Sequence, residues 1–132
     1  MNGNNSWTGR RIFVTGADGF IGSHLTEQLV RQGAQITALA QYNSFDACGW
    51  LDDLPSDVLD SIEVIRGDVR ELEHMMALCR GKEAVFHLAA LIAIPYSYFA
   101  PSAYVQTNVQ GTSNILTAAR EAGCSRIINT ST

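Results

Sequence analysis

The sequence predicts a doubly wound α/β fold, a parallel sheet with strand order 3-2-1-4-5 and helices on both faces, and three observations lead there. A glycine turn, Thr15-Gly16-Ala17-Asp18-Gly19-Phe20-Ile21-Gly22, stands directly between the apolar run Arg11-Ile12-Phe13-Val14 and a helix-patterned segment. Short apolar runs then alternate with helical patterns, the arrangement that right-handed crossovers turn into a parallel sheet. Ala84-Val85-Phe86-His87-Leu88 is an unbroken run of the kind found in strands covered on both faces.

Each element follows from its own pattern. The first helix carries Phe20, Ile21, His24, Leu25, Gln28, Leu29 and Val30 at helical spacing and stops where Gly33 follows Arg31. Gln35 to Leu39 is the second strand, and Ile62 to Ile65, running into Gly67-Asp68, is the third. Between them Ala40 to Asp60 holds Gly49, Pro55 and several Asp and Ser residues, the composition of a surface loop with room for one short helical turn. Glu71 to Arg80 places Leu72, Met75, Met76 and Cys79 on one helical face, with acids at its start and Arg80 at its end, as the helix dipole favours. Ala84 to Leu88 is the fourth strand, Ser102 to Ala122 a long helix ending at Gly123, and Arg126 to Thr130 the fifth strand.

Composition bounds the function. A chain of 132 residues forms one domain with a single core. No apolar run approaches the ~18 residues that span a membrane, the first residues lack the basic and apolar regions of an export signal, and a cytoplasmic protein is expected. A net charge of −4 gives no basic footprint for nucleic acid or an anionic membrane, so any phosphate must be held locally. Cys48, Cys79 and Cys124 are odd in number and widely spaced, which fits buried reduced thiols and offers no metal site.

The chemistry-bearing residues sit at strand ends. In an open parallel sheet ligands bind beyond the carboxyl ends of the strands, where the order reverses between strands 1 and 4. The glycine turn follows strand 1, Asp68-Val69 strand 3, Ala89-Ala90 strand 4 and Ser131-Thr132 strand 5. A tight turn entering a helix aims backbone N–H groups and the positive end of the helix dipole at one point, where a pyrophosphate is stabilised. The spacing is G-x-x-G-x-x-G, and these residues alone leave an ordinary strand-to-helix turn as the alternative. Asp68 reads equally as an acceptor for an adenine edge or as the acidic start of the next helix. His87, inside an apolar strand, reads as a satisfied core histidine ahead of a ligand or base. Met75 and Met76 read as packing.

Taken together, the glycine turn, Gly67-Asp68-Val69, His87-Leu88-Ala89-Ala90, Thr107-Asn108-Val109-Gln110-Gly111-Thr112 and a strand closing in Ser131-Thr132 resemble the N-terminal half of an extended short-chain dehydrogenase/reductase, the NAD-dependent epimerase/dehydratase family. The match covers nearly the whole chain. Within that family, Tyr42-Asn43-Ser44-Phe45 with Gly49-Trp50-Leu51-Asp52 and Leu91 to Tyr98 resemble the nucleotide-sugar 4,6-dehydratases of bacterial sialic-acid-like sugar pathways. The resemblance implies a Rossmann-like fold, truncated after strand 5, with residues 1–132 as an NAD-binding domain incomplete at its C-terminal end. It implies that Gly16, Gly19 and Gly22 form the pyrophosphate turn, with N–H groups from Phe20 and Ile21. Asp68 and Val69 would hold the adenine, Leu88, Ala89 and Ala90 would line the channel to the nicotinamide ribose, Asn108 would brace the active-site helix, and Thr132 would be the catalytic hydroxyl on the substrate oxygen. Gly111, costly in mid-helix by ~1 kcal/mol against Ala, is expected to allow a close approach.

Two departures from the family pattern stand out. Strand 2 ends in Ala40-Gln41 where NAD-preferring members carry an acid, and no arginine sits beside it to take a 2′-phosphate. Asn43 and Ser44 are then the polar candidates, and the expected cofactor is NAD, with NADP left open. The family's Tyr-x-x-x-Lys pair does not occur: the fourth residues after Tyr96, Tyr98 and Tyr104 are Ala100, Ser102 and Asn108. The expected function is therefore the cofactor-binding portion of a nucleotide-sugar dehydratase or epimerase that oxidises sugar C4 transiently, without turnover by this chain alone. A non-catalytic nucleotide-binding or interaction module, and a fragment without function, are the alternatives. The nucleotide sugar is the expected small-molecule partner, and an uncovered edge at strand 5 predicts self-association.

Overall fold

A computed structural model describes residues 6–44 and 47–131. Five parallel strands form one sheet in the order β3-β2-β1-β4-β5, with β1 at Arg11–Thr15, β2 at Gln35–Gln41, β3 at Glu63–Gly67, β4 at Ala84–His87 and β5 at Arg126–Asn129. The predicted order is the observed one. Central β1 and β4 are buried on both faces, as their apolar runs require.

Side chains alternate along β1, and each face has its own core. Ile12 and Val14 join Leu29 of helix α1 (Phe20–Arg31) with Ala38, Ala40, Leu51 and Phe86 on one side. Phe13 joins Met75 and Cys79 of α3 (Leu72–Cys79) with Ile115, Ala118 and Ala119 of α6 (Gly111–Ala122) on the other. Met75 is thus core, as its spacing suggests.

The stretch expected to be a surface loop is partly core. It contains a 3-10 turn at Gly49–Asp53 and the short helix α2 at Ser56–Leu59, and these bury Leu51 and Val58 completely under the α1 face of the sheet. Isolated apolar residues among turn formers give no periodic signal, so tertiary burial decided what composition could not. The thiols also differ from expectation. Cys79 is buried and its thiol is pushed up to about 11 by that burial, whereas Cys48 and Cys124 are only partly covered.

After β4 the chain forms two four-residue helices, α4 (Ile94–Ser97) and α5 (Pro101–Tyr104). A π-helical stretch, Val105–Gln110, then joins α5 to α6 with helical backbone at both junctions. The long helix predicted over Ser102 to Ala122 is therefore present, with an irregular first half. Gly123 ends it in the left-handed conformation expected of a C-terminal glycine.

Candidate functional site

The glycine turn lies at the carboxyl end of β1, beside the loop that leaves β4. Gly16 has φ +66°, and a Cβ there would stand 2.7 Å from Ala89 N and from Leu88 C. Only glycine lets these two backbones meet. At Gly22 a Cβ would fall 2.0 Å from Gly16 O, so the first turn of α1 rests directly on the turn that precedes it. Gly19 is different. It is the N-cap of α1 with an ordinary extended backbone, and a Cβ on it would meet only Gly16 O, at 3.3 Å. Packing within the protein is looser at position 19 than at 16 or 22, although a Cβ there would still crowd the Gly16 carbonyl, and the side facing away from the protein is the space in front of the helix.

That helix end is uncapped. α1 opens at Phe20 without a side-chain cap and with no acidic residue in its first turn, so the N–H groups of Phe20 and Ile21 lead the dipole outward. Asp18 is the one carboxylate of the turn. Its Oδ2 accepts the Gln41 N–H at 3.1 Å and its carbonyl accepts the Trp50 N–H at 2.9 Å, tying the end of β2 and the 3-10 turn to the glycine turn. Trp50 also meets Phe20 edge to face, with ring centroids 5.0 Å apart.

A polar chain fixes the β4 side of the crevice. Thr15 Oγ1 accepts the N–H groups of Leu88 at 3.0 Å and Ala89 at 3.1 Å. Its one proton then goes to His87 Nδ1 at 2.7 Å, so the ring carries its own proton on Nε2 and donates it to Thr112 Oγ1 at 3.0 Å. Burial drives the His87 pKa down to about 4, which keeps the ring in this neutral form. His87 is the satisfied core histidine its setting suggested: it positions Leu88 and Ala89, joining β1, β4 and α6.

The remaining predicted residues fall around the same crevice. Asp68 is gripped by Arg70, with Nε donating to both carboxylate oxygens and Nη2 to Oδ2 at 2.6 Å, while the Arg70 N–H donates to Oδ1. The guanidinium holds the Asp68 carboxyl below the usual carboxylate range. Its carboxylate makes no cap on α3, whose N-cap is Glu71. Val69 is buried, its carbonyl accepting Asn114 Nδ2 at 2.9 Å, and a Cβ on Gly111 would stand 2.6 Å from Val69 Cγ2. Gly111 thus permits the close approach expected of it. Asn108 pairs with the Leu91 backbone twice, Oδ1 accepting its N–H at 2.8 Å and Nδ2 donating to its carbonyl at 2.9 Å. Ala90 is exposed at the mouth.

Asn43 and Ser44 serve the expectation less well. The Asn43 amide closes its own loop onto Ala47, with Nδ2 donating to Ala47 O at 2.7 Å, and Ser44 is an exposed turn residue. Thr132 lies outside the described residues.

Sequence reasoning missed four contributors. Asp18 and Trp50 knit the turn to the loop after β2, Asn114 anchors Val69, and Arg66 is brought beside Ala40 by the β2-β3 ladder. The statement that no arginine stands by the strand end holds along the chain and fails across the sheet. None of these pairings leaves a local trace, because each joins residues from different elements.

The fold defines a Rossmann-like α/β domain with its glycine turn at the switch point of the sheet. Residues 13–132 match the family described as GDP-mannose 4,6 dehydratase, and the chain belongs to that family. The UDP-glucose 4-epimerase of Mycolicibacterium smegmatis is 35% identical over 123 residues, covering 92% of this chain and 38% of the relative. The dTDP-glucose 4,6-dehydratase of Mycobacterium tuberculosis is 33% identical over 113 residues, 86% of this chain and 34% of the relative. Among solved structures, a DesIV double mutant, the dTDP-glucose 4,6-dehydratase of Streptomyces venezuelae with NAD and DAU bound, superposes with a TM-score of 0.77 at 31% identity, covering 89% of this chain and 38% of that one. The chain therefore spans somewhat over a third of the length of the proteins it matches.

Proposed function

We propose that this chain is the cofactor-holding portion of a nucleotide-sugar 4,6-dehydratase or epimerase that binds NAD and works by transient oxidation at sugar C4. The observation that carries the reading is the glycine turn itself: Gly16 and Gly22 hold the turn against the β4 loop and the first turn of α1, and Gly19 leaves an uncapped helix end with no side chain in front of it. The relatives' names supply the substrate class, and the NAD in the DesIV crystal supports the cofactor.

When bound, a nicotinamide supplies reversible uptake of a hydride from sugar C4. This chain's residues supply position and field. Phe20 and Ile21 N–H groups stabilise the pyrophosphate, with Gly16, Gly19 and Gly22 keeping the approach clear. Asp68, ionised and held by Arg70, accepts from the adenine amino group beside Val69. Leu88, Ala89 and Ala90, set by Thr15 and His87, line the path to the nicotinamide ribose, and Asn108 holds Leu91 against the helix. Thr132 offers its hydroxyl to the substrate oxygen. Among the described residues β5 is paired only with β4, and pairing of its other side with a second copy is part of this reading.

Calorimetric titration with NAD⁺ tests this reading. The wild type binds, and Gly19→Val, shown to be folded by a cooperative melt, does not. Equal affinity in the two proteins overturns it.

A further inference from the structure

The end of β2 carries no acid of its own. In a dinucleotide site of this plan a carboxylate at that place accepts the adenosine ribose hydroxyls, whereas here Ala40 is fully buried and the strand ends in the exposed amide residue Gln41. A carboxylate is nevertheless present at the strand end. It comes from the glycine turn: Asp18 Oδ2 accepts the Gln41 backbone N–H at 3.1 Å, which brings the charge of the turn after β1 to the tip of β2.

Asp18 is half-buried and fixed on two further sides. Its carbonyl accepts the Trp50 N–H at 2.9 Å. Gly49, with φ +57°, lies so close that a Cβ on it would stand 2.6 Å from Asp18 O and 3.3 Å from Asp18 Cβ, so only glycine lets the 3-10 turn close onto this residue. The tie to Gln41 uses one carboxylate oxygen. Among the described residues nothing donates to Oδ1 and no cation pairs with Asp18, whereas Asp68, the other acid of the crevice, is matched by Arg70. A carboxylate held in place by its neighbours with one oxygen unused is a preorganised acceptor.

We infer that Asp18 reads the adenosine ribose in this chain, its free oxygen accepting the 2′-hydroxyl in place of an acid on β2, so that the unphosphorylated dinucleotide is preferred to the 2′-phosphorylated form. The inference rests on the dinucleotide reading of the crevice. A hydroxyl donating to a carboxylate makes a shorter and stronger bond than one between neutral groups. A phosphate on the 2′ oxygen removes that donor and sets further negative charge against Asp18. The discrimination that a strand-end acid supplies elsewhere is thus supplied from the turn.

The test is calorimetric titration of the full chain with NAD⁺, NADP⁺ and an NAD⁺ lacking the adenosine 2′-hydroxyl. The wild type binds NAD⁺ about ten-fold more tightly than either of the others. Asp18→Asn keeps a carbonyl oxygen for the Gln41 N–H and removes the charge. It moves the NADP⁺ to NAD⁺ affinity ratio about ten-fold towards NADP⁺ and narrows the gap between NAD⁺ and its deoxy form. Equal wild-type affinity for NAD⁺ and the deoxy form overturns the inference and leaves the dinucleotide reading standing. So do ratios unmoved by Asp18→Asn, including a uniform loss of affinity for all three probes, which is the mark of a residue that only holds the turn. Failure of all three probes to bind the wild type overturns both readings. The wild-type comparison needs no variant, so a variant that fails to fold does not spare the inference.

Discussion

Acid should loosen this domain through one ring. In the native state His87 is neutral, its Nδ1 accepting from Thr15 and its pKa lowered by burial from 6.5 to about 4. In the unfolded chain the same ring takes a proton near 6.5, so the unfolded state binds more protons and stability rises with pH across that interval. The contribution is fully present above about 6.5 and is lost as pH falls towards 4. At about 1.4 kcal/mol per pH unit between the two values, the most that can be lost is about 3 kcal/mol, of which about 2 to 3 is gone at about pH 4.5. Asp68 does not confuse the result. Its depressed pKa contributes stability above its ordinary 3.8 and loses it only below that value, outside the window. Urea denaturation of the wild type at a series of pH values, beside His87→Gln, measures the effect. The wild type should show the slope between about pH 6.5 and 4, and His87→Gln should be lower at neutral pH and flatter below it. Parallel curves for the two proteins refute the argument.

Two further outcomes follow from the backbone. Gly22→Ala places a methyl 2.0 Å from Gly16 O, a backbone atom with little room to retreat, and should cost about 1 to 3 kcal/mol by urea denaturation, whereas Gly19→Ala, 3.3 Å from the same oxygen and at an N-cap, should cost less, about 1 kcal/mol or under. Equal stability of the two variants would show that the turn relaxes freely. The β5 strand has a partner only on its β4 side among the described residues, so light scattering over a concentration series should show the average mass rising, and a monodisperse monomer at high concentration counts against the open edge.

The parts of the fold legible in the sequence were those set by local pattern. The apolar runs of β1 and β4 gave central strands, glycine placement gave the turn, and helical spacing gave α1, α3 and α6. His87 was legible because a histidine in an unbroken apolar run must satisfy both ring nitrogens inside the core. What escaped depends on neighbours distant in sequence. Leu51 and Val58 look like loop residues until the α1 face closes over them. Asn43 looked free to meet a ribose, yet a loop returning through Ala47 uses its amide first. Arg66 becomes relevant only when β3 pairs with β2 in register. The site's glycines were readable one by one, while the difference between Gly19 and its two companions required knowing which atoms stand behind each.

The π-helical stretch from Val105 to Gln110 has a consequence for phase. Each residue advances a helix by about 100°, so wider turns rotate everything upstream relative to everything downstream. Gly111, Asn114, Ile115 and Ala118 keep one side of α6 against the sheet and Val69, while Asn108, inside the wide turns, faces Leu91 in the loop beyond β4. One continuous rod thereby addresses two targets that a regular helix would present at a different angle to each other. Deleting a single residue within the stretch would favour regular α-helical bonding and swing Asn108 away from Leu91, so the length of this segment, as much as its composition, is under structural constraint.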